Sequence, residues 1–373
     1  METESEETFV GLDIHRKTVY ASAMRADGEL LLQEQFGASD PELIDFLDRL
    51  PGHKRVALEA CTMWEHFYDA AQAAGATVTL SNPYKTRLIA EAGIKTDKVD
   101  SAALAKLLWL NSLPTSYAAP PETRVLRNLV RERVFYRRKA VQIMAHTYSV
   151  LLRRGIVYED RILVHRRKRQ VLRQLHLEEV DRGLDAITEL EDLCKVLDRK
   201  IRDAGEVSEE VQLLRTIPGV GELTALAVVA FLCPIERFPN AEKLGSYVGL
   251  APTTHQSGEF AYHGKLKRDS VALLRWLLVE VSWTHRHRCP RGQVAKIARR
   301  VGRRRGTSKG TIAGAHALLR IIYAMLKRRE PFHPPVPRPS TATQVLRRSR
   351  ATAMQCVQRA ALEPSTADRL PAL

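Results

Sequence analysis

Two short apolar runs in the first sixty residues each end on a single acid, and this pattern limits the folds that the chain can adopt. The run from Phe9 to Leu12 is followed by Asp13, and the run from Val56 to Leu58 is followed by Glu59. An acid at the end of a buried strand costs desolvation free energy unless a cation offsets its charge. Because functional groups commonly gather at strand ends in α/β folds, we expect these two acids to lie in a site.

A second pair of acids opens a helix rich in alanine and leucine. Asp97 and Asp100 stand three residues apart, so they project from one helix face if the helix begins near Thr96. The alternative is that Asp97 caps the helix and Asp100 only complements its dipole. Taken with Asp13 and Glu59, the pair predicts an oxygen-only site for Mg²⁺, with Mn²⁺ as the second candidate, of the kind that phosphoryl-transfer enzymes use.

The order of elements in the first third of the chain predicts the fold around these acids. We expect three strands first, joined in part by a hairpin turn at 26–28, and then strands that alternate with helices. The predicted strands are 8–13, 18–25, 30–36, 55–59 and 77–81, and the predicted helices are 41–50 and 63–74 with further helices to 110. This order is the plan of the ribonuclease H-like (RuvC-like) fold, with a generic α/β domain as the alternative.

The charge of the chain indicates a nucleic-acid partner. The net charge is +15, and it is concentrated in two blocks: residues 119–176 hold 15 Lys/Arg against 4 Asp/Glu, and residues 284–328 hold 13 Lys/Arg and no acid. Such blocks favour contacts with a phosphate backbone. Within the first block a basic helical stripe is predicted to bind nucleic acid, formed by Arg124, Arg127, Arg131, Arg137 and Arg138.

An acidic segment, residues 177–212, separates the two basic blocks and carries a coiled-coil pattern. Apolar residues recur in alternating threes and fours from Leu177 to Ile201. This seam either mediates oligomerisation, which we favour, or folds back on the preceding helix. We therefore expect four parts: residues 1–117, the nuclease-like domain; 118–207, a basic helical and coiled-coil segment; 208–330, a mainly helical domain; and 331–373, a flexible tail.

The mainly helical domain opens with a turn from Pro218 to Gly221 that feeds a helix, as in a helix-hairpin-helix element. Backbone N–H groups near Gly219 and Gly221 are predicted to bind DNA phosphates, and a tight turn without a ligand is the alternative. His285, His287 and Cys289 alternate like metal ligands, but the arginines between them repel a cation.

Nothing in the acidic N-terminus directs export, and no apolar run has transmembrane length, so we expect a soluble cytoplasmic, nucleoid-associated protein without membrane contact. The five cysteines lack a C-x-x-C pair and are expected to be reduced.

These segments together resemble the insertion sequence 110 family of transposases, also called DEDD transposases and described as bridge-RNA-guided recombinases. The resemblance spans about Phe9 to Arg328. It is carried by Gly11-Leu12-Asp13, Leu58-Glu59-Ala60, Lys95-Thr96-Asp97-Lys98-Val99-Asp100, Ile217-Pro218-Gly219-Val220-Gly221, Gly249-Leu250-Ala251-Pro252 and Ser257-Gly258.

The resemblance implies transposition of a bacterial element, with a structured non-coding guide RNA that pairs to donor and target double-stranded DNA. It also implies a homo-oligomer, from dimer to tetramer, in which the acids of one subunit act with the nucleophilic Ser257 of another. After the serine loop the chain departs from the family pattern and lacks its second glycine. Three basic residues there are still expected to contact phosphate: Lys265, Lys267 and Arg268.

Two enzymatic alternatives follow from the residues. In a recombinase, Ser257 attacks the DNA phosphate and forms a phosphoserine link, with His255 as the histidine nearest in sequence. In a metal-dependent junction resolvase, the acids activate water instead. A non-catalytic scaffold would not need four acids, and Ser246, Ser270 or Ser282 is the nucleophile if Ser257 lies only in a turn.

Overall fold

The computed structural model describes residues 7–89, 96–158, 161–257, 260–266 and 270–334, and for residues 252–257 and 260–266 it describes the backbone alone. The chain divides into two units, Met1–Pro120 and Pro121–Leu373. Ala119-Pro120-Pro121 lies at this boundary, between the α/β region and the long helices.

A five-stranded sheet forms the centre of the first unit. Its strands are β1 (Glu7–Ile14), β2 (Thr18–Arg25), β3 (Leu30–Gly37), β4 (His53–Glu59) and β5 (Thr77–Ser81), in the order β3-β2-β1-β4-β5. The first three strands are antiparallel, whereas β1–β4 and β4–β5 are parallel. This is the predicted order, a three-strand meander followed by strands that alternate with helices.

Helices cover both faces of this sheet. The helices are α1 (Asp40–Asp48), α2 (Trp64–Ala73), α3 (Pro83–Ile89) and α4 (Asp97–Trp109). On one face Phe46 of α1 and Phe67 of α2 are completely buried with Val10 and Leu12 of β1. On the other face Leu104 and Leu108 of α4 form a separate core. A mixed sheet between helices agrees with the predicted ribonuclease H-like layout.

The second unit is mainly helical. Its elements are α5 (Pro121–Arg153), α6 (Arg166–Arg173), α7 (Glu178–Glu206), α8 (Glu209–Arg215), α9 (Glu222–Leu232), α10 (Ala241–Val248), β6 (Pro252–Ser257), β7 (Phe260–Leu266), α11 (Ala272–Arg288), α12 (Gln293–Arg305) and α13 (Thr307–Arg328). One core joins Val130 of α5 and Ile201 of α7 to the helices from α8 to α13. The segments predicted as two domains, 118–207 and 208–330, therefore share a core.

The apolar seam of α7 is buried within a single chain. Helix α7 packs along α5, and seam residues such as Leu184, Ile187 and Leu197 are almost completely inaccessible. This is the second of the two arrangements considered from the sequence, in which the helix folds back on the preceding one. The seam is consequently not available to a second copy in this conformation, which corrects our preference for oligomerisation through it.

The first residues that we predicted as part of a flexible tail pack against the second unit. The backbone N–H of Phe332 donates to the hydroxyl oxygen of Thr216 over 2.9 Å, and its ring packs edge-on against His285. Residues 331–334 therefore belong to the second unit, and residues 335–373 lie outside the described part. Among the described residues, no helix is both long enough and apolar enough to cross a bilayer.

Candidate active site

The sheet places Asp13 and Glu59 side by side. Strands β1 and β4 are parallel neighbours, and their pairing ends at Leu12 opposite Leu58. The two acids are the next residue of each strand. Since side chains alternate across a strand, both belong to the face that carries Gly11 and Ala57, on which α4 lies. Asp13 and Glu59 therefore lie at the same end of two neighbouring strands.

The start of α4 brings the other two acids. Thr96 is the N-cap, and its hydroxyl oxygen accepts from the backbone N–H of Val99 at 3.3 Å. Asp97 and Asp100 therefore lie in the first helical turn, with Asp97 exposed and Asp100 half-buried. The alternative in which Asp97 serves as the cap does not hold, because Thr96 has that role.

Close approach of α4 to β1 depends on Gly11. A methyl group on this residue would lie 2.1 Å from the carbonyl oxygen of Ser101 and 2.5 Å from the backbone nitrogen of Ala105. Only glycine allows the helix backbone to lie so near the strand. Gly11 precedes Asp13 by two residues and Ser101 follows Asp100, so this contact sets the distance between the two halves of the site.

A buried chain of hydrogen bonds fixes the same turn of α4 laterally. Gln33 of β3 donates to the Ser22 hydroxyl and to the carbonyl of Lys98. Ser22 and Ser101, both fully buried, share a hydrogen bond of 2.8 Å, and Ser101 donates to the Lys98 carbonyl at 3.1 Å. Every hydroxyl is satisfied if Ser22 donates to Ser101. Satisfied buried networks of this kind rigidify the elements they join.

The side chains that meet at this point are two acids and an imidazole. Nε2 of His15 lies 3.1 Å from Oδ2 of Asp13 and 3.5 Å from Oδ1 of Asp97. One ligand atom from each of the three residues lies within 4.8 Å of the others. Asp13 is the least exposed of the three, at 18% of its side-chain surface, while Asp97 is 52% exposed.

The acids repel one another at this site. Burial raises the pKa of Asp13 above its ordinary value, the hydrogen bond and charge of His15 lower it, and the charges of Asp97 and Asp100 raise it again. A bound divalent cation would remove both costs, since it replaces lost solvation and separates like charges. The donor set is therefore of the right chemistry for such an ion.

His15 changes the expected oxygen-only site, because it adds a nitrogen donor. Carboxylates alone favour Mg²⁺, whereas carboxylates with imidazole also suit Mn²⁺ and other first-row metals. Sequence reasoning did not single out His15. The available signal was its position two residues after Asp13, just beyond the end of the same strand. Glu59 lies at the end of the neighbouring strand β4. The three residues whose ligand atoms lie within 4.8 Å of one another are Asp13, His15 and Asp97.

Ser257 occupies the last position of β6, in a hairpin of the second unit. It pairs with Phe260, the first residue of β7. Of the alternative nucleophiles, Ser282 is completely buried in α11. The Ser270 hydroxyl lies 3.0 Å from Nη1 of Arg275, which also approaches the Gly249 carbonyl, so this serine belongs to the base of the hairpin.

The predicted basic stripe on α5 is partly internal. Arg124 and Arg127 are 5% and 8% exposed, and Nε of Arg127 donates to the Ala230 carbonyl of α9 at 2.8 Å. Their guanidinium groups therefore contact the protein interior instead of solvent, which corrects their assignment to phosphate. Arg131 and Arg138 are exposed, with Arg138 stacked 5.2 Å from the ring of Trp276, and Arg137 is half-buried.

The turn between α8 and α9 has the expected tight geometry. Gly219 has a φ of +98°, which favours glycine, and Gly221 is the N-cap of α9 with open space around it. His285 of α11 hydrogen bonds the Pro218 carbonyl at 2.8 Å. Lys265 lies in β7, and Lys267 and Arg268 lie outside the described residues. The phosphate contacts of this turn, and those of Lys265, Lys267 and Arg268, stay predictions from the sequence.

Acids at the ends of adjacent parallel strands, faced by a helix that carries two more, give the first unit the layout of a ribonuclease H-like domain with a candidate divalent-cation site. Comparison with known proteins specifies the class further. A family described as "Transposase" matches residues 10–153, and the "Transposase IS116/IS110/IS902 family" matches residues 211–299. The two matches contain the acids and the Ser257 hairpin respectively.

Curated relatives give the same result. The transposase for insertion sequence element IS1111A of Coxiella burnetii is 26% identical over 74% of this chain and 79% of its own length. The transposase for IS1533 of Leptospira borgpetersenii is 26% identical over 74% and 85%. A pilin gene-inverting protein of Moraxella bovis is 26% identical over 73% and 79%. The chain belongs to the insertion sequence 110 family of transposases and is a DNA transposase or recombinase.

Proposed function

We propose that this transposase cuts and rejoins DNA through a covalent phosphoserine link at Ser257, assisted by a divalent cation held by Asp13, Glu59, Asp97 and Asp100. The observation that carries the proposal is the convergence of strand-terminal and helix-terminal acids on one side of the sheet. Mg²⁺ is the expected ion, and His15 makes Mn²⁺ a good substitute. When bound, the cation would neutralise phosphate oxygens and stabilise the leaving oxygen.

The protein residues have distinct roles in the proposed reaction. The hydroxyl oxygen of Ser257 forms a bond to the scissile phosphorus while the bond from phosphorus to the leaving deoxyribose oxygen breaks. The serine proton passes to a base and the leaving oxygen takes up a proton. Because one phosphodiester replaces another, a second DNA end can displace the serine without an external energy source.

The acids and the hydrogen-bonded turn of α4 have a positioning role as well. Gly11 and the Ser22–Ser101 pair hold the helix start at a fixed distance from β1. This arrangement limits the movement of Asp97 and Asp100 relative to Asp13. Such preorganisation supplies much of the rate in phosphoryl transfer, where there is little covalent chemistry for the protein to perform.

A trapped adduct tests the serine. The reaction contains wild-type protein, Mg²⁺, labelled DNA that carries the element ends, and the RNA transcribed from the flanking region. It should yield a protein–DNA adduct that survives denaturation. Ser257→Ala should form no adduct and perform no strand transfer. Ser246→Ala, on α10, is the matched control and should form the adduct normally.

The competing resolvase mechanism predicts a different pattern. If water is the nucleophile, wild-type protein cleaves without an adduct and Ser257→Ala cleaves at the same rate. The acid variants separate the metal site from the serine: Asp13→Ala, Glu59→Ala, Asp97→Ala and Asp100→Ala should each abolish cleavage and keep nucleic-acid binding. Undiminished cleavage by one variant would remove that acid from the site.

The proposed oligomer and guide RNA have their own tests. If each subunit can supply what another lacks, a mixture of Ser257→Ala and Asp13→Ala proteins should regain part of the strand transfer that neither performs alone. No recovery would contradict shared sites. Guidance by RNA predicts that changing the RNA sequence redirects integration without any change in the protein.

A further inference from the structure

The two basic blocks of the chain differ in whether their charge is balanced internally. Arginines of α5, of the turn that follows it and of α6 pair with acids of α7, as in Arg133–Asp198 at 2.7 Å and Arg154–Glu179 at 2.9 Å. Further pairs of this group are Arg166–Asp192, Arg169–Glu191 and Arg173–Asp185. The acidic segment 177–212 therefore neutralises much of the first block.

Helix α12 carries a cationic face without such compensation. The face consists of five exposed residues at helical spacings of three and four: Lys296, Arg299, Arg300, Arg303 and Arg304. These residues line a shallow cavity of about 320 Å³. Within the described part of the chain, none of the five forms an ion pair with a carboxylate, and Arg299 donates only to the Pro290 carbonyl, at 2.6 Å.

The opposite face of α12 fixes the direction of these cations. Ala298 and Gly302 pack on Gly310 and Gly314 of α13, where a methyl group on Gly310 would lie 2.5 Å from the Ala298 carbonyl oxygen. Two helices that pack through such small residues have little freedom to rotate about their axes. The cationic face consequently stays directed outward, and five like charges remain close together.

We propose that the cationic face of α12 binds the phosphate backbone of double-stranded DNA. From Lys296 to Arg304 the helix rises about 12 Å, which matches about three to four base-pair steps of roughly 3.4 Å each. This inference rests on the proposed function, in which DNA is the substrate, and it adds the surface that binds the DNA.

The composition of the face favours a duplex over unpaired RNA. Recognition of single-stranded RNA relies on aromatic side chains that stack on splayed bases. The face holds only ammonium and guanidinium groups. Guanidinium groups bind phosphate oxygens bidentately, and contacts of this type carry little sequence information.

Salt-dependent binding tests the proposal. The probe is a labelled DNA duplex of arbitrary sequence, mixed with full-length protein in EDTA so that cleavage chemistry has no influence. Each lost phosphate contact lowers the slope of log K against log salt by about 0.9, so Arg300→Gln/Arg304→Gln should lower it by about 1.8. At physiological salt this corresponds to roughly 30-fold weaker binding.

The matched control removes the same charge elsewhere. Arg199 and Lys200 are exposed residues of α7. The double variant Arg199→Gln/Lys200→Gln should leave the slope of log K against log salt nearly unchanged. Equal losses in both double variants would overturn the proposal, since net charge alone would then explain binding. The proposal would also be overturned if Arg300→Gln/Arg304→Gln bound an RNA hairpin more weakly than the wild type but bound the DNA duplex equally well. That result would assign the face to RNA.

A third result would assign the face to protein contact: unchanged binding of both nucleic acids together with a changed oligomeric state of Arg300→Gln/Arg304→Gln. Circular dichroism and the melting temperature of both double variants should match the wild type. Failure of the serine or acid tests would leave this binding result unaffected, so the two proposals fail separately.

Discussion

Replacing Gly11 with alanine should lower the rate of DNA cleavage by about 100-fold or more and leave the protein folded. The new methyl group would lie 2.1 Å from the Ser101 carbonyl oxygen and 2.5 Å from the Ala105 nitrogen. Favourable carbon contacts lie at about 3.5–4.0 Å, so α4 has to withdraw by roughly 1 Å or more. A displacement of this size moves Asp97 and Asp100 from Asp13, and a misplacement of about 1 Å can lower an enzymatic rate about 100-fold.

The stability effect should be moderate by comparison. Overpacking costs about 1–3 kcal/mol, which lowers the melting temperature of a domain of this size by roughly 5–15 °C. The assay pairs Mg²⁺-dependent cleavage of labelled DNA with a thermal melt. Gly302→Ala is the matched control, because its new methyl group would lie 3.9 Å from the nearest atom, which is an ordinary contact distance. Wild-type cleavage and melting by Gly11→Ala would refute the close packing of α4 on β1.

Three other predictions concern parts of the structure with separate roles. Ser22→Ala interrupts the buried hydroxyl chain and should lower the free energy of unfolding by about 1–3 kcal/mol, read from a urea midpoint at constant slope. Gly310→Ala, 2.5 Å from the Ala298 carbonyl, should cost about 1–3 kcal/mol in the same assay, and an unchanged midpoint would show that α12 and α13 are not so close. Burial raises the pKa of the Cys233 thiol to about 12. At pH 8 this thiol should therefore alkylate far more slowly than Cys61, a thiol in the same intermediate class of exposure. Peptide mass spectrometry measures both rates, and equal rates would contradict the prediction.

Local signals predicted where the four acids lie in the fold, because each acid is tied to the end of an element. Strand patterns placed Asp13 and Glu59, and the pairing of β1 with β4 brings these ends together. The helix signal predicted a start near Thr96, one residue before the observed start at Asp97, and so placed Asp97 and Asp100 in the first turn. His15 was missed because an imidazole just beyond a strand has no periodic signal of its own.

Long-range packing limited the other predictions. The sequence predicts a solvated stripe of arginines on α5, but the partners of Arg127 include the Ala230 carbonyl and the Phe231 ring, about a hundred residues away in sequence. The seam of α7 had the period of a coiled coil, and periodicity alone does not distinguish a partner helix in the same chain from one in a second copy. Both outcomes depend on tertiary contacts that no local window contains.

The most direct test of the proposed active site is anomalous diffraction from crystals grown with Mn²⁺, measured at the manganese absorption edge. The account predicts a peak bounded by Asp13 and the first turn of α4, with Asp97 and Asp100 on one side and His15 within reach. Asp13→Asn should reduce that peak strongly. A strong peak elsewhere, or full occupancy in Asp13→Asn, would contradict the assignment of these acids to a catalytic metal site.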